Sequence, residues 1–250
     1  MNKHVILKAI NLCKSFGGLA AVDNLSLGVT PLGVTSIIGP NGAGKSTLFN
    51  LLSGTFKPDS GSVYLNEQNI TRMSPEERLV SGMARSFQIT NLFFDLTVID
   101  NLRLASQALQ PSSYLYLPLR KCELALARAD ELLVEFGLVD SRNQLAGSLS
   151  HGQQRRLEIA VTLATRPKIL LLDEPTQGMS QGDTQDTSQL IKELGSKITV
   201  LLIEHDVDLV MDLSKEVIVM AQGKKLAEGS PKEVRSSPLV QAAYFGEEAE

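Results

Sequence analysis

The sequence of 250 residues contains no tryptophan, 5% aromatic residues and two cysteines. Cys13 and Cys122 lie in no C-x-x-C or histidine-rich setting, so neither a disulfide framework nor a metal site is indicated, and a reducing cytosol suits both. A basic surplus is also lacking, because 24 Lys and Arg stand against 28 Asp and Glu, for a formal net charge of −4. Nucleic acid is therefore not expected as a principal partner.

Long apolar runs are missing as well. No stretch approaches the roughly 20 apolar residues of a membrane-spanning helix. The segment Met1–Lys8 holds too short an apolar run for a signal peptide. We therefore expect a soluble chain that forms one large α/β domain, with or without a sub-domain, and buries a substantial core.

One stretch fits the phosphate-binding pattern G-x-x-x-x-G-K-[ST] at every defined position: Gly39, Pro40, Asn41, Gly42, Ala43, Gly44, Lys45, Ser46 and Thr47. The glycines leave backbone N–H groups open to polyphosphate, the lysine reaches the β- and γ-phosphates, and the Ser46 hydroxyl is a Mg²⁺ ligand. A predicted strand over 33–38 precedes this loop, and a predicted helix over 46–52, ended by Gly54, follows it. This order favours a nucleotide site over a chance glycine-rich turn.

Two carboxylates follow another buried strand. Residues 169–172 are apolar on both faces, as in a central parallel strand, and Asp173 and Glu174 come next. Strand alternation turns the two side chains in different directions, so Asp173 is predicted to hold Mg²⁺ through water and Glu174 to act as general base. The alternative is a solvated acidic turn.

Three single residues are weaker candidates. Phe16, at a glycine-rich turn, would either stack on adenine or be a partly buried turn aromatic. Gln88 ends a strand predicted over 83–88, and His205 follows one predicted over 197–203, where an α/β sheet presents its strand ends to ligand. His205 is either a γ-phosphate contact or an ordinary loop histidine, and Gln88 is a sensing residue only if the rest of the site agrees.

A helical region interrupts the strand signals from about residue 90 to residue 164. Its third helix begins at a turn containing Ser150, His151, Gly152 and Gln153, whose free N–H groups form a second anion site, although Ser and Gly commonly begin helices. Residues 111–118 would pack as a loop or contact a partner. Antiparallel strands over 5–12 and 21–29, hairpins over 62–70 and 216–228, a capped helix from Ser74 and a helical tail after Pro231 complete the prediction.

In this order the motifs resemble an ATP-binding-cassette ATPase subunit, and the resemblance covers nearly the whole chain. It implies ATP and Mg²⁺ as cofactors and a head-to-tail dimer with a second ATPase subunit, in which each ATP lies between the phosphate loop of one subunit and the Ser-x-Gly-Gln turn of the other. The residues implied at one site are Lys45, Ser46, Thr47, Gln88, Asp173, Glu174 and His205, with Ser46, Gln88 and Asp173 around the metal. Ser150, Gly152 and Gln153 would serve the site across the interface, and Phe16 would stack on adenine.

The resemblance also implies a fold and a location. The fold is a P-loop NTPase core of mostly parallel sheet and flanking helices over about 1–89 and 165–250. Those ranges also contain an antiparallel β sub-domain and a C-terminal tail. An inserted helical sub-domain over about 90–164, which carries the Ser-x-Gly-Gln turn, completes the fold. Such subunits lie on the cytoplasmic face of the membrane and drive transmembrane permeases, which meet a groove near residues 88–95. Leu92, Phe93 and Phe94 are the candidate contacts, or else sub-domain core.

Within the family the chain is most similar to subunits that energise bacterial import of branched-chain amino acids, urea or short amides, served indirectly by a solute-binding protein. The features concerned are the Phe16 turn, residues 85–93, the proline-bracketed insertion and the tail 243–247. The alternatives are a lipid or lipopolysaccharide export ATPase and a soluble cassette protein outside transport. Two departures are His151 in place of a small glycine and Ser180 in place of an aspartate that couples the two sites.

Overall fold

The computed structural model describes residues 4–86, 92–107 and 123–245. Within these ranges, one sheet is antiparallel and is built from the strands predicted near the N-terminus and the first hairpin. Its strands are β1 Leu7–Phe16, β2 Leu19–Val29, β4 Ser60–Leu65 and β5 Gln68–Asn69. They lie in the order β2-β1-β4-β5. The predicted antiparallel strands are therefore confirmed, and the first two extend to the turn at Gly17 and Gly18.

The second sheet carries the phosphate loop. Its strands are β3 Gly33–Ile38, β6 Met83–Arg85, β7 Ile169–Asp173, β8 Thr199–Ile203, β9 Glu216–Ala221 and β10 Lys224–Gly229, in the order β10-β9-β3-β8-β7-β6. All neighbours pair in parallel except β9 and β10, which form the predicted closing hairpin. Every residue of β7 and β8 is buried, as the continuous apolar runs predicted.

The helices of the described residues are α1 Lys45–Ser53, α2 Pro75–Val80, α3 Val98–Ser106, α4 Glu123–Glu135, α5 His151–Leu163, α6 Gln181–Lys197, α7 Val207–Leu213, α8 Pro231–Arg235 and α9 Pro238–Phe245. The predicted capping box of α2 is present, with Ser74 and Glu77 bonded to each other's backbone. The same device begins α5, where Ser150 is the N-cap and Gln153 the third residue. None of these helices is long and apolar enough to span a membrane.

The sequence patterns predict neither α6 nor α7. The predicted strand over 197–203 begins only at Thr199, because Lys197 is the last residue of α6. The central segment of α6 is polar, and its buried apolar residues, Ile191 and Leu194, come late in the helix. A helical apolar stripe is thus short and easily overlooked.

The helical region and the parallel sheet share one core. A single apolar cluster joins Leu132 of α4 and Leu157 of α5 to Leu170 of β7 and Leu202 of β8. The opposite face of the sheet packs on α1 and on the antiparallel sheet. The strands that end at the candidate site are therefore fixed from both faces.

The C-terminal end of α1 is fixed by a buried cation. Arg78 donates hydrogen bonds to the carbonyl oxygens of Leu51 at 2.8 Å and Thr71 at 3.1 Å, and it also reaches Leu52 and Met73. Burial lowers the pKa of Arg78 to about 10, so it remains charged at neutral pH. A positive charge at this end of a helix complements the helix dipole and satisfies its last carbonyls.

Candidate functional site

Four adjacent parallel strands bring the candidate residues to one edge of the sheet. In the order β3-β8-β7-β6, their carboxyl ends lead into the phosphate loop, His205, the Asp173-Glu174 pair and Ser86. Parallel strands present their carboxyl ends at a common edge, which is where open α/β sheets bind ligands. Gln88 lies outside the described residues.

The phosphate loop has the backbone that its glycines permit. Gly44 is the N-cap of α1 with φ 95°, and a Cβ there would lie 2.1 Å from the carbonyl oxygen of Ala21. Gly39 is equally restricted, because a Cβ would lie 2.2 Å from the carbonyl oxygen of Met220. Only glycine fits at either position, and the free N–H groups of the first turn of α1 face the loop.

The Lys45 side chain lies inside the phosphate loop. Its Nζ donates hydrogen bonds to the carbonyl oxygens of Gly39 at 2.7 Å and Pro40 at 3.1 Å, and the residue is only 6% exposed. Burial lowers the pKa of Lys45 below its ordinary value, an effect that the nearby Glu174 partly opposes. The ammonium group is thus held inside the phosphate loop, on the side of Glu174.

A cavity of about 750 Å³ lies over this loop. Its wall contains residues from the antiparallel sheet, the phosphate loop, the strand ends and the β9–β10 turn: Phe16, Leu19, Ala20, Ala21, residues 41–47, Glu174, His205 and Gln222. The cavity is large enough for a nucleotide, and its wall combines apolar and aromatic side chains with cationic and hydroxyl groups.

Phe16 lines the cavity and is about half exposed. Its ring meets Phe56 edge to face, with centroids 5.6 Å apart and an interplanar angle of 69°. The Lys14 Nζ lies 5.6 Å from the same ring centroid. The ring is therefore held by its contacts with Phe56 and Lys14 and remains accessible to solvent, so a base could stack on it.

Asp173 is 2% exposed, and its Oδ2 accepts a hydrogen bond. Arg85 Nη2 donates to Oδ2 at 3.2 Å, whereas Oδ1 has no hydrogen-bond partner within the described part of the chain. Burial raises the pKa of Asp173 and Glu174 adds to the rise, while Arg85 opposes it. A buried oxygen left without a donor, together with the Ser46 hydroxyl, fits the oxygen ligands that Mg²⁺ prefers.

Glu174 and His205 touch each other. His205 Nε2 contacts Glu174 Oε1, and the Glu174 side chain is 8% exposed against 47% for His205. Glu174 has a left-handed φ of 46°, and its N–H donates to the carbonyl oxygen of Ile203 at 2.9 Å. This backbone turns the Glu174 side chain toward the cavity while β8 holds its main chain.

The Ser-x-Gly-Gln turn does not join this cavity in the single chain. Ser150, Gly152 and Gln153 are absent from the described lining of the cavity over the phosphate loop. Ser150 is exposed, and its Oγ accepts from the Gln153 N–H at 3.3 Å. His151, the departure from glycine, is exposed beside a smaller pocket of about 120 Å³ next to residues 173–179.

Two residues that the sequence prediction left without a role stand around these carboxylates. Arg85 donates to Asn50, Ser53 and Thr55 of the α1 end as well as to Asp173. Glu204 is 4% exposed, and its carboxylate accepts three hydrogen bonds. Glu204 directly follows the apolar run 200–203, which is the same kind of sequence signal that points to Asp173 after residues 169–172.

A groove separates α3 and α5 from β6. It encloses about 340 Å³ and is lined mostly by apolar side chains, namely Leu79, Ala84, Leu92, Leu104, Ala105 and Val161, with Arg85, Ser86, Glu158, Thr162 and Thr165 between them. Leu92 is buried and part of the core, while Phe93 and Phe94 are exposed. Ser86 Oγ and Thr165 Oγ1 are buried and have no hydrogen-bond partner among the described residues.

Ser180 begins α6 as its N-cap. Its Oγ accepts from the Asp183 N–H at 3.3 Å and donates to Asp183 Oδ2 at 2.7 Å. A hydroxyl is among the preferred caps, so the departure from aspartate leaves the helix start intact.

Two family models match the chain. One described as ABC transporter covers residues 22–177, and one described as branched-chain amino acid ATP-binding cassette transporter covers residues 224–250.

Known relatives are similar over nearly their full length. The chain is 41% identical to the high-affinity branched-chain amino acid transport ATP-binding protein LivG of Escherichia coli K12, over 97% of this chain and 98% of that protein. It is also 41% identical, with the same coverage, to the high-affinity branched-chain amino acid transport ATP-binding protein BraF of Pseudomonas aeruginosa. Identity to the lipopolysaccharide export system ATP-binding protein LptB of Haemophilus influenzae is 32%, again over 97% of this chain and 98% of that protein.

Solved structures share the fold. The ADP conformation of MJ1267, an ATP-binding cassette of an ABC transporter, has a TM-score of 0.87 at 36% identity, covering 98% of this chain and 100% of that one. A dimeric post-hydrolysis state of the ATP-binding cassette MJ0796 bound to ADP and Pi has a TM-score of 0.72 at 29% identity, covering 90% and 98%.

Proposed function

Because the chain belongs to the ABC transporter family, we propose that it is the ATP-hydrolysing subunit of a branched-chain amino acid importer. We further propose that Lys45, Glu174 and His205 act on the γ-phosphate. One observation supports this assignment above the others: these three residues, far apart in sequence, line a single cavity of about 750 Å³. The α/β fold and the cassette neighbours agree with it.

The residues of this chain would divide the work by position. Glycine N–H groups and Lys45 bind the phosphates, Thr47 lines the same wall, and Phe16 stacks on the base. Ser46 and Oδ1 of Asp173, which has no hydrogen-bond partner among the described residues, would hold Mg²⁺, directly or through water, with Gln88 as a further candidate ligand. When bound, this ion neutralises charge on the phosphate oxygens.

Glu174 would orient the attacking water and accept its proton, and His205 would donate to the γ-phosphate as charge develops there. The contact between His205 Nε2 and Glu174 Oε1 bears on this order of events. A single N–H cannot donate along one direction to both the carboxylate and the phosphate. We therefore propose that His205 leaves Glu174 when it engages the γ-phosphate, which frees the base for water.

The second half of each site would come from another subunit. Ser150, Gly152 and Gln153 lie away from the cavity of their own chain, and Ser150 and His151 are exposed. The capping box binds the N–H groups of Ser150 and Gln153, so the N–H groups of His151 and Gly152 would meet the anion. The dimeric structure of a 29% identical cassette supports a dimer of this kind, formed by two copies of this chain or by this chain and a related one.

The test is Glu174→Gln. We expect loss of ATP turnover, because an amide cannot accept the proton, while ATP still binds and holds the subunits together as a dimer in size-exclusion chromatography. Glu193→Gln makes the same change at an exposed glutamate of α6 that does not line the cavity, and it serves as the turnover control. Turnover at the parental rate in Glu174→Gln would remove Glu174 from the mechanism.

The permease would dock at the groove between α3, α5 and β6. Phe93 and Phe94 are exposed and directly follow Leu92, which lines the groove. The hydroxyls of Ser86 and Thr165, which have no hydrogen-bond partner among the described residues, line it as well. Leu92 packs in the core and also lines the groove, so it remains a candidate contact. An apolar groove with two buried hydroxyls suits a short cytoplasmic helix whose free terminal backbone groups accept or donate hydrogen bonds. Docking at this groove would put the subunit at the cytoplasmic face of the membrane.

The solute is proposed from the relatives. The match of residues 224–250 to the branched-chain amino acid transporter model and the 41% identity to importer subunits favour import. Identity to the lipopolysaccharide export subunit is lower, at 32%. Reconstitution with the permease should give ATP hydrolysis stimulated by a binding protein loaded with leucine, isoleucine or valine. Stimulation by urea or short amides instead would reassign the solute, and stimulation by lipopolysaccharide would overturn import.

A further inference from the structure

Glu204 is a buried carboxylate outside the wall of the nucleotide cavity. It follows the last residue of β8 and is 4% exposed. Its Oε1 accepts from the Thr176 N–H at 3.0 Å and from Thr176 Oγ1 at 2.6 Å. Its Oε2 accepts from the His205 N–H at 3.1 Å. One side chain thus holds the turn after β7 with one oxygen and the main chain of His205 with the other.

A carboxylate at this buried position carries a large desolvation penalty. Burying a charge without compensation destabilises a fold strongly, and an apolar side chain of similar size is often as stable as a buried polar group. Three donated hydrogen bonds offset part of that cost here. The geometry therefore indicates that Glu204 serves to join the two segments that it bonds, and not stability alone.

The segment on the Oε1 side is a compact turn. The Gln177 N–H donates to the Glu174 carbonyl at 3.2 Å, and the Met179 N–H donates to the Thr176 carbonyl at 3.2 Å. Thr176 is buried, so this turn cannot shift freely against the end of β8. A displacement of Thr176 would therefore move residues 174–179 as a unit.

The same turn leads to the Ser-x-Gly-Gln segment. It runs into α6, capped by Ser180, and the first turn of that helix contains Asp183. A Cβ built on Gly152 would lie 2.7 Å from Asp183 Oδ1, so the start of α6 lies directly against the start of α5. A continuous set of contacts thus runs from His205 through Glu204 and Thr176 to Gly152.

We propose that Glu204 is a positioning residue that joins the γ-phosphate side of one ATP site to the Ser-x-Gly-Gln turn by which the same chain serves the other. It holds His205 and the 174–179 turn in one register, so that movement of His205 is passed to the start of α6. The inference rests on the proposed function, because it assumes that this turn completes a site in a second subunit.

The experiment uses the full chain in the Glu174→Gln background with ATP and Mg²⁺. Sedimentation velocity gives the dimer dissociation constant, and a fluorescent ATP analogue at low protein concentration gives nucleotide affinity. Adding Glu204→Gln replaces one acceptor by an N–H donor and breaks the link. We expect the dimer dissociation constant to rise by about tenfold or more, within the usual range for coupled sites, while nucleotide affinity stays within about twofold.

Thr176 supplies the matched pair of controls. Thr176→Val removes the 2.6 Å bond at constant shape and should weaken the dimer as Glu204→Gln does, whereas Thr176→Ser keeps the hydroxyl and should match the background. Combining Glu204→Gln with Thr176→Val should weaken the dimer no further than either change alone. Should Glu204→Gln fail to fold, the Thr176 pair still decides the question.

The possible failures are separable. If Glu174→Gln alone forms no dimer with ATP, the proposed function is overturned and the inference with it. If that dimer forms and both Glu204→Gln and Thr176→Val leave its dissociation constant unchanged, only the inference is overturned. A parallel loss of nucleotide affinity in both variants would also overturn it, because the link would then serve ATP binding within one site.

Discussion

Replacing Arg85 by methionine should destabilise the fold, because the buried Asp173 carboxylate then loses its cationic partner. Arg85 donates at 2.6 Å to Asn50, 2.8 Å to Ser53, 3.1 Å to Thr55 and 3.2 Å to Asp173, and its guanidinium lies 4.8 Å from the Phe49 ring centroid. Methionine keeps the apolar contact with the ring but leaves Asp173 buried without a cation. Breaking one side of a buried ion pair costs about 3–5 kcal/mol, so we expect roughly 3 kcal/mol of lost unfolding free energy.

Urea denaturation at pH 7 of the parent, Arg85→Met, Asp173→Asn and the double variant measures this directly. Because most of the loss in Arg85→Met comes from the uncompensated carboxylate, Asp173→Asn should restore part of it. The double variant should therefore be more stable than the sum of the single losses predicts, by about 1–3 kcal/mol. Simple additivity would refute the argument that Arg85 acts through Asp173.

The pH dependence has a definite sign. Burial already raises the pKa of Asp173 above 3.8, and Arg85 is the largest influence opposing that rise. Without Arg85 the folded-state pKa rises further, so the folded variant binds a proton over a wider range than the unfolded chain does. Stability then falls as pH rises through the window between 3.8 and the folded pKa. The deficit of Arg85→Met should be smallest near the bottom of that window and grow toward neutral pH, and a deficit independent of pH would contradict the assignment.

Three further predictions concern the nucleotide cavity and its support. Lys45→Ala should weaken ATP binding by at least about tenfold in isothermal titration calorimetry, since a charge-assisted phosphate contact is lost; unchanged affinity would remove Lys45 from the site. Phe16→Ala should raise the Kd for ATP by about tenfold through lost stacking and leave binding of inorganic triphosphate unchanged, while Phe16→Tyr keeps both. Gly54→Ala should lower the free energy of unfolding in urea by about 2–4 kcal/mol, because φ is 87° and the new Cβ would lie 2.7 Å from Arg78 Nε. Gly178→Ala is the control. Its φ is 75° and the space around it is open, so only the backbone strain of about 1–2 kcal/mol should be lost.

Short sequence motifs and apolar runs predict much of the fold. The phosphate loop, the capping box at Ser74 and the apolar runs that precede Asp173 and Glu204 are each defined within a few residues, and the corresponding elements are present. Helix α6 was overlooked because its first half is polar, although Ser180 followed by Asp183 is a recognisable N-cap pattern. The roles of the site residues remain predictions, and Gln88 lies outside the described residues.

The network around the carboxylates was beyond local reasoning. Arg85 meets Asn50 and Asp173, which are 35 and 88 residues away, and Glu204 meets Thr176, which is 28 residues away. Neither residue belongs to a short motif, and only the strand order of the sheet brings the partners together. Periodicity and propensity describe each strand separately, so they cannot identify which strand ends become neighbours.

The end of β7 is the point at which these contacts converge. Arg85 of β6 holds Asp173, and His205 and Glu204, which follow β8, hold Glu174 and Thr176. Glu174 itself has a left-handed φ of 46°, a conformation that costs a residue with a Cβ about 1–2 kcal/mol. Its own backbone preference therefore opposes the position that its side chain occupies. The neighbouring strands must maintain that position, so small displacements of β6 or β8 are expected to move Glu174 before they disturb the rest of the sheet.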